Sequence, residues 1–552
     1  MSSDADQITD SEPFADTCRE LVERILDGRV DRESLESAKL DVCGKYGAKK
    51  VPTNPEILDH AHPDEREAVE AVVRRKPVRT VSGVSPVAIM TSPKLCPHGK
   101  CLYCPGGPAS EFSSAQSYTG HEPAAARGMQ TAYDPYGQVT LRLSQLRRIG
   151  HPVDKVELIL MGGTMTARSH DYQEWFVRRA LEAMNDFDPD RRDPVGDPTS
   201  FRREPGSLPF RYLEDVKGRN ETATVRNVTT TFETKPDWCD PEQIDRMLTL
   251  GGTKVELGVQ TTYDQINREM HRGHGIDESK DANRRLRDAG FKVGFHMMPG
   301  QPGMTEEMNR RDFDRIFEDP AWRPDYLKIY PTLVVKGTRV YDMWRRGDFT
   351  PLSNDDAAEL VAEIKASLPS YVRLQRVQRD IPADFIEAGV WKSNLRQLAR
   401  KRLDAMEGHC SCIRCREVGF HESDPSTVTV TVETYESCGG VEHFISAVDP
   451  DADILVGFCR LRFPAAPRRA ELQDAAVVRE LHVYGAEASI GADDGDWQHR
   501  GFGRELMEQA ESIAATAGYE KLAVLSGIGA REYYRRKLGY VQDGPYVSTR
   551  LT

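Results

Sequence analysis

No stretch of this sequence approaches the roughly 18 consecutive apolar residues that a membrane-spanning helix needs, so an integral membrane protein is not expected. The amino terminus, MSSDADQITDSEPFADT, lacks the basic-then-apolar order of a secretory signal. A surplus of basic charge is missing too: the formal net charge is −13, which argues against a uniformly basic nucleic-acid-binding surface. Arg outnumbers Lys by more than two to one and Asp is abundant, a balance that fits a salty cell and leaves local basic patches open. Tandem repeats and low-complexity tracts are absent. What is present is a chain of 552 residues, 39% hydrophobic and 29% charged, long enough for two to four domains at about 150 residues each. Six of the eleven cysteines crowd into two short clusters whose spacing suits metal better than disulfides, so a reducing cytoplasm is the expected compartment.

Four regions follow from the patterning. Residues 1–77 read as helices, with Leu21, Ile25, Leu26 and Leu35 near helical spacing. Basic residues punctuate this region at Lys49, Lys50, Arg74, Arg75 and Lys76; on composition alone such residues are a solvated face. Residues 78–400 alternate β-rich runs (155–161, 223–232, 254–259, 292–297, 326–330) with helical stretches (169–184, 241–250, 278–289, 305–317). That rhythm predicts an α/β fold of parallel strands with helical crossovers, as a barrel or an open sheet. Ligands in such folds sit at the carboxyl ends of the strands, where Gly162, Gly163 and Gln260 fall. Residues 189–209 read as a surface insertion, 401–425 as a Cys-rich linker and 426–552 as a separate α+β domain.

Three motifs carry chemistry. In CPHGKCLYCPGGP, Cys96, Cys101 and Cys104 can hold three irons of a 4Fe–4S cluster and leave the fourth iron open. The competing reading is a zinc site with His98 as the added ligand. This spacing resembles the radical S-adenosylmethionine enzymes, and Gly162-Gly163-Thr164 is similar to their glycine motif, with Thr164 where an acidic residue is common. The second motif, Gln498-His-Arg-Gly501-Phe502-Gly503, opens a helix whose free N–H groups favour an anion. It resembles the loop with which acyl-CoA N-acetyltransferases cradle the CoA pyrophosphate. Glu480, Leu481, His482 and Val483 are similar to that family's pantetheine-pairing strand, and Tyr533 to its tyrosine near the thioester. Third, Cys410, Cys412 and Cys415 suggest a structural zinc site without an identifiable fourth ligand, although His409 and His421 are near; free thiols or a redox role are the alternative.

Together with SAQSYTGHEPAAARG, KVELILMGGT, RELHVYG, QHRGFGRELMEQAE and REYYRRKLGY, these motifs resemble the family of Elongator catalytic subunits in archaeal single-chain form, from about Val78 onward. The resemblance implies a partial (β/α) barrel of radical type followed by an acetyltransferase domain. It implies a 4Fe–4S cluster, S-adenosylmethionine bound by Gly162, Gly163 and Gln260, and acetyl-CoA bound by Lys155, residues 480–483 and 501–503, and Tyr533. Lys155 and Tyr533 are its catalytic candidates. The implied substrate is the wobble uridine in a tRNA anticodon stem-loop, converted to 5-carboxymethyluridine by adding an acetyl-CoA carbon radical to C5. An external electron donor is implied, Lys49, Lys50 and Arg74–Lys76 become tRNA contacts, and a homodimer is left open. Two rival readings stand beside it: a protein lysine acetyltransferase with a merely structural iron–sulfur domain, and a tRNA-binding scaffold with degenerate sites. Intact cysteines and an intact glycine loop argue against the scaffold.

Overall fold

The computed structural model describes residues 12–73, 83–189, 212–421, 424–484 and 501–551. Arg74, Arg75 and Lys76, nearly all of the 189–209 insertion, and residues 498–500 of the glycine loop lie outside them. Among the described residues no helix is long and apolar enough to cross a membrane.

Four helices come first, Glu12–Leu26, Leu35–Tyr46, Asn54–Asp59 and Arg66–Val73. They close on a small core of their own, with Leu21, Val22, Val42, Ile57 and Val69 buried. Seven parallel strands follow: β1 (Ser85–Met90), β2 (Lys155–Met161), β3 (Arg226–Thr234), β4 (Lys254–Gln260), β5 (Lys292–Met297), β6 (Tyr326–Ile329) and β7 (Arg373–Arg376). They pair in simple sequence order, and β1 does not pair with β7, so the barrel is open. Strand β2 shows why the sheet is two-faced. Val156, Leu158 and Leu160 are buried beneath helix His170–Asp186, while Glu157, Ile159 and Met161 point into the barrel lumen, as period-2 alternation requires.

The sequence pattern predicts five of these strands, with β2 and β5 at the same bounds. It misses β1, a six-residue run in a proline-bearing stretch, and β7, whose RLQR is too short and polar to show alternation. The acetyltransferase-like domain is a second seven-stranded sheet: β8 (Thr429–Ser437), β9 (Gly440–Asp449), β10 (Ile454–Phe463), β11 (Ala475–Val483), β12 (Lys521–Val524), β13 (Val541–Asp543) and β14 (Tyr546–Arg550). Its order is β8-β9-β10-β11-β12-β14-β13; only β11 and β12 run parallel. The two final strands are absent from the sequence reading, because each is five residues or shorter.

The second sheet docks against the amino-terminal ends of the barrel strands. Gly527 abuts β3 so closely that a Cβ there would lie 2.0 Å from the Val228 carbonyl oxygen. Four buried guanidinium groups (Arg287, Arg460, Arg462, Arg479) meet four buried carboxylates (Asp288, Asp325, Glu442, Glu480) across the interface. Arg479 of β11 reaches Asp325 at 2.7 and 2.8 Å and Glu442 at 2.7 Å, and it donates to the Phe291 carbonyl at 2.9 Å. Arg462 binds Asp288 at 2.6 Å. Burial alone would raise the Asp325 carboxyl, but Arg287, Arg479 and Arg460 around it hold it well below the usual carboxylate range.

Removing one partner of such a network strands the others without water, at a cost of about 3–5 kcal/mol. Arg479→Met should therefore lower the unfolding free energy obtained from urea titration by that amount. A change below about 1 kcal/mol would mean that the network carries little of the stability. Because Asp325 and Glu442 are both depressed, their contribution is complete at neutral pH and should be lost only as pH falls below the ordinary carboxylate range.

Candidate active site

The loop after β1 gathers Cys96, Cys101 and Cys104 above the carboxyl ends of the strands, where all three line one cavity. Gln116, 20 residues on, clamps the loop: its side-chain oxygen accepts from the Cys96 N–H, and its amide nitrogen donates to the Gly99 carbonyl at 2.7 Å. Each sulfur then has a donor. Thr164 Oγ1 lies 3.5 Å from Cys96, Arg272 and His98 lie 3.4 and 3.2 Å from Cys101, and the Ser117 N–H lies 3.1 Å from Cys104. A sulfur set ringed by donors is what an anionic iron–sulfur ligand shell requires. Burial pushes Cys104 up to about 11 and raises Cys96, so thiolates here need a bound cation's charge.

The spread of the sulfurs separates the two metal readings. Tetrahedral zinc with bonds of about 2.3 Å sets sulfurs about 3.8 Å apart. Among the described residues, Cys410, Cys412 and Cys415 have all their sulfurs within 4.8 Å, while Cys96, Cys101 and Cys104 do not form such a group. The wider trio fits several irons better than one ion. His98 spends Nε2 on Cys101, and burial lowers its pKa to about 4, which leaves it neutral.

Gly162 and Gly163, with φ of 129° and 83°, end β2 against this loop. A Cβ on Gly162 would sit 2.1 Å from Thr91 Oγ1, and one on Gly163 would sit 3.3 Å from the Cys96 sulfur. Gln260 closes β4 at φ 72°, a strained value for a non-glycine residue, and its buried side-chain oxygen has no protein partner. Buried polar atoms of His274 and Gln301 are likewise unpaired, which suits a polar ligand beside the cysteines.

Below them charged groups stand among the apolar side chains of the lumen, such as Ile159 and Met161. Lys254 bridges Glu157 and Glu256 at 3.1 and 3.0 Å. Lys328 bridges Glu256 and Glu233, and His296 sits 3.1 Å from Glu256. The cavity, of about 380 Å³, continues past these groups to Tyr326, Lys292 and Arg373 and ends on Glu480, His482 and Tyr484 of the second domain. Lys155 is half-buried at the amino end of β2, in register with Arg226, which packs against Gly529 of the second domain. It therefore belongs to the lower mouth of the barrel, not to the cysteine loop.

In the second domain Arg479 is an extra residue opposite the Arg460/Leu461 step, a bulge in β11. Pairing of β11 with β12 stops at Val478 and Val524, so Leu481, His482 and Val483 lie beyond the split. The Glu480 side chain is committed to Arg460, at 2.9 Å, and to Tyr326, which leaves its backbone for a ligand. Helix Phe502–Thr516 starts from Gly501 at φ 90°. A Cβ on Gly503 would stand 2.9 Å from the Tyr533 hydroxyl and 3.7 Å from Val483, so glycine loop, strand and tyrosine converge.

The linker triad ties both halves together. Glu417 binds Arg373 of β7 at 2.7 Å, and Arg416 binds Asp453 at 2.7 Å. Lys365 donates to Cys415 at 3.3 Å; His409 is held by Asp453, and His421 faces the Cys415 carbonyl. Lys49 is exposed, whereas Lys50 pairs with Glu56 at 2.5 Å.

An open parallel barrel with a three-cysteine loop, joined to a split sheet with a glycine-led helix, defines a radical S-adenosylmethionine module fused to an acyl-transferring module. Family matches follow that division: the Radical SAM superfamily at 91–316, the Radical_SAM C-terminal domain at 324–405, the Acetyltransferase (GNAT) family at 414–540 and the ELP3 N-terminal domain at 14–81. A tRNA uridine(34) acetyltransferase of Methanocaldococcus infernus is 44% identical, covering 96% of this chain and 98% of that one. Elongator complex protein 3 of Homo sapiens is 40% identical, covering 97% and 96%. The solved structure of archaeal Methanocaldococcus infernus Elp3 with an N-terminal deletion superposes with a TM-score of 0.72 at 41% identity, covering 85% of this chain and all of that one. The chain belongs to the Elongator complex protein 3 family, and it is an acyl-transferring enzyme.

Single Cys96→Ala, Cys101→Ala or Cys104→Ala variants should keep their circular dichroism yet lose the brown absorbance and bound iron of anaerobically reconstituted protein. Retention of both by any one of them would remove that cysteine from the ligand set. Gly503→Val should weaken acetyl-CoA binding at least tenfold by calorimetry, since the new side chain meets Tyr533. Unchanged affinity would show that this loop is not the CoA cradle.

Proposed function

We propose that this protein modifies the wobble uridine of tRNA, attaching the acetyl carbon unit of acetyl-CoA to C5 to give 5-carboxymethyluridine. The observation that carries this reading is the single lumen lined by Cys96, Cys101 and Cys104 at one end and by Glu480, His482 and Tyr484 at the other. A simple lysine acetyltransferase has no use for such a passage. The names of the 44% and 40% identical relatives support the tRNA substrate.

In this reading Cys96, Cys101 and Cys104 hold the cluster, and Gly162, Gly163 and Gln260 frame S-adenosylmethionine. When bound, that pair supplies the one-electron cleavage needed to take hydrogen from an unactivated methyl group. The backbone of residues 480–483, Gly501–Gly503 and Tyr533 hold acetyl-CoA, with Lys155 contacting it from the barrel side. The paired charges of Lys254, Lys328, Glu157, Glu233 and Glu256 keep the lumen walls fixed, and the burial of Lys254, Lys328, Glu233 and Glu256 keeps bulk water away from the reacting carbon. Lys49 and Lys50 face the tRNA from the helical amino-terminal unit, Cys410, Cys412 and Cys415 hold a structural zinc, and a reductant of the cytoplasm supplies the electron.

Anaerobic incubation of reconstituted protein with tRNA, S-adenosylmethionine, acetyl-CoA and dithionite as the electron source should yield carboxymethyluridine by nucleoside mass spectrometry. Full activity on peptides by iron-free protein, with no modified uridine, would replace this reading by the lysine acetyltransferase. Lys155→Ala should lower formation of the modified base at least tenfold, about 1.4 kcal/mol, without altering iron content. Normal product from that variant would detach Lys155 from the acetyl-CoA path.

A further inference from the structure

Of the four lysines lining the lumen, Lys235, Lys254, Lys292 and Lys328, Lys292 is placed unlike the others. It opens β5 beside Lys254 of β4 and, like His296 on the same strand, faces the cavity. It is only 7% exposed. Lys235, Lys254 and Lys328 each have a carboxylate within ion-pair distance. Among the described residues Lys292 has none: its ammonium reaches only Thr253 Oγ1, at 3.4 Å. Burial lowers the Lys292 pKa; Glu480 is the acid that acts most strongly against this, but that carboxylate is already spent on Arg460 and Tyr326. Lys254, Glu157 and Arg460 are the other charged groups around it.

A buried ammonium held by one long contact to a hydroxyl is costly, and a closer acceptor on a ligand lowers the cost. The cavity beside Lys292 is bordered by Glu480, His482 and Tyr484, the strand segment at which the split of β11 from β12 opens. The glycine-led helix start, Gly501–Gly503, is the part of this domain suited to pyrophosphate, which leaves the acyl end of the thioester for the strand and the barrel mouth.

We propose that Lys292 anchors the acyl group: its ammonium donates a hydrogen bond to the thioester carbonyl oxygen of acetyl-CoA where that end enters the barrel. This rests on the reading of acetyl-CoA as co-substrate and assigns Lys292 a contact distinct from that proposed for Lys155. A charge-assisted bond there polarises the carbonyl, which favours both loss of hydrogen from the adjacent methyl carbon and later attack of water on the thioester. It also distinguishes acetyl-CoA from CoA, whose thiol offers no carbonyl oxygen.

The test is calorimetric titration of the full chain with acetyl-CoA and with CoA, with neither tRNA nor S-adenosylmethionine present. Wild-type protein should prefer acetyl-CoA by about tenfold. Lys292→Met, which keeps the stem and removes the charge, should bind both alike, with CoA affinity within twofold of wild type. Lys292→Arg should keep most of the preference. No preference in the wild type, or an undiminished one in Lys292→Met, overturns the proposal. If Lys292→Met does not fold, reductive methylation of the wild type read by mass spectrometry decides: acetyl-CoA should shield Lys292 and CoA should not, and equal labelling overturns it. Because the readout is binding, absence of modified uridine would count against the proposed reaction and leave the Lys292 contact standing.

Discussion

Asp325, with no exposed surface, sits among Arg287, Arg460 and Arg479, and the arrangement of the whole molecule turns on that contact. It lies one residue before β6, at the floor of the barrel, while two of its partners belong to strands of the acetyltransferase sheet. The charges balance only when both domains are present in this orientation. A greasy interface of the same size would tolerate sliding; a net of directional ion pairs does not, because each displaced guanidinium leaves a carboxylate unpaired in a dry place.

That docking gives the barrel two working ends. Parallel α/β folds ordinarily keep their chemistry at the carboxyl ends of the strands, and the cysteine loop, Gly162, Gly163 and Gln260 obey this. The amino ends would otherwise be a closed, structural floor. Here Lys292, Tyr326 and Arg373 stand at that floor as the rim of a passage, because β11 delivers Glu480, His482 and Tyr484 against it. The polar lumen follows from the same cause. Much of its wall is made of charged groups that stay buried because they are held in pairs.

Much of this was legible along the chain. The three cysteines, the paired glycines after β2 and the glycine-led helix are local features, and local spacing determines their chemistry wherever the fold carries them. The strands with clear alternation or β-branched runs were also readable, β2 and β5 to the residue. Strand β7 was not, since four residues reading RLQR carry no period.

What only the tertiary structure decided is partnership. Two of the donors to the cysteine sulfurs come from Thr164, 68 residues from Cys96, and Arg272, 171 residues from Cys101, and no spacing rule connects them. Arg479 reads from sequence as part of a CoA-binding strand, but a bulge sends its side chain across the interface to Asp325. Lys254 and Lys292 look alike in sequence, each at the head of a β run. One is paired and the other is not, because strand register and the docking of a second domain place Glu157 and Glu256 beside the first and commit Glu480 to Arg460 before it can reach the second. Charge pairing depends on distances between segments a hundred residues apart, and such distances exist only once the chain is folded.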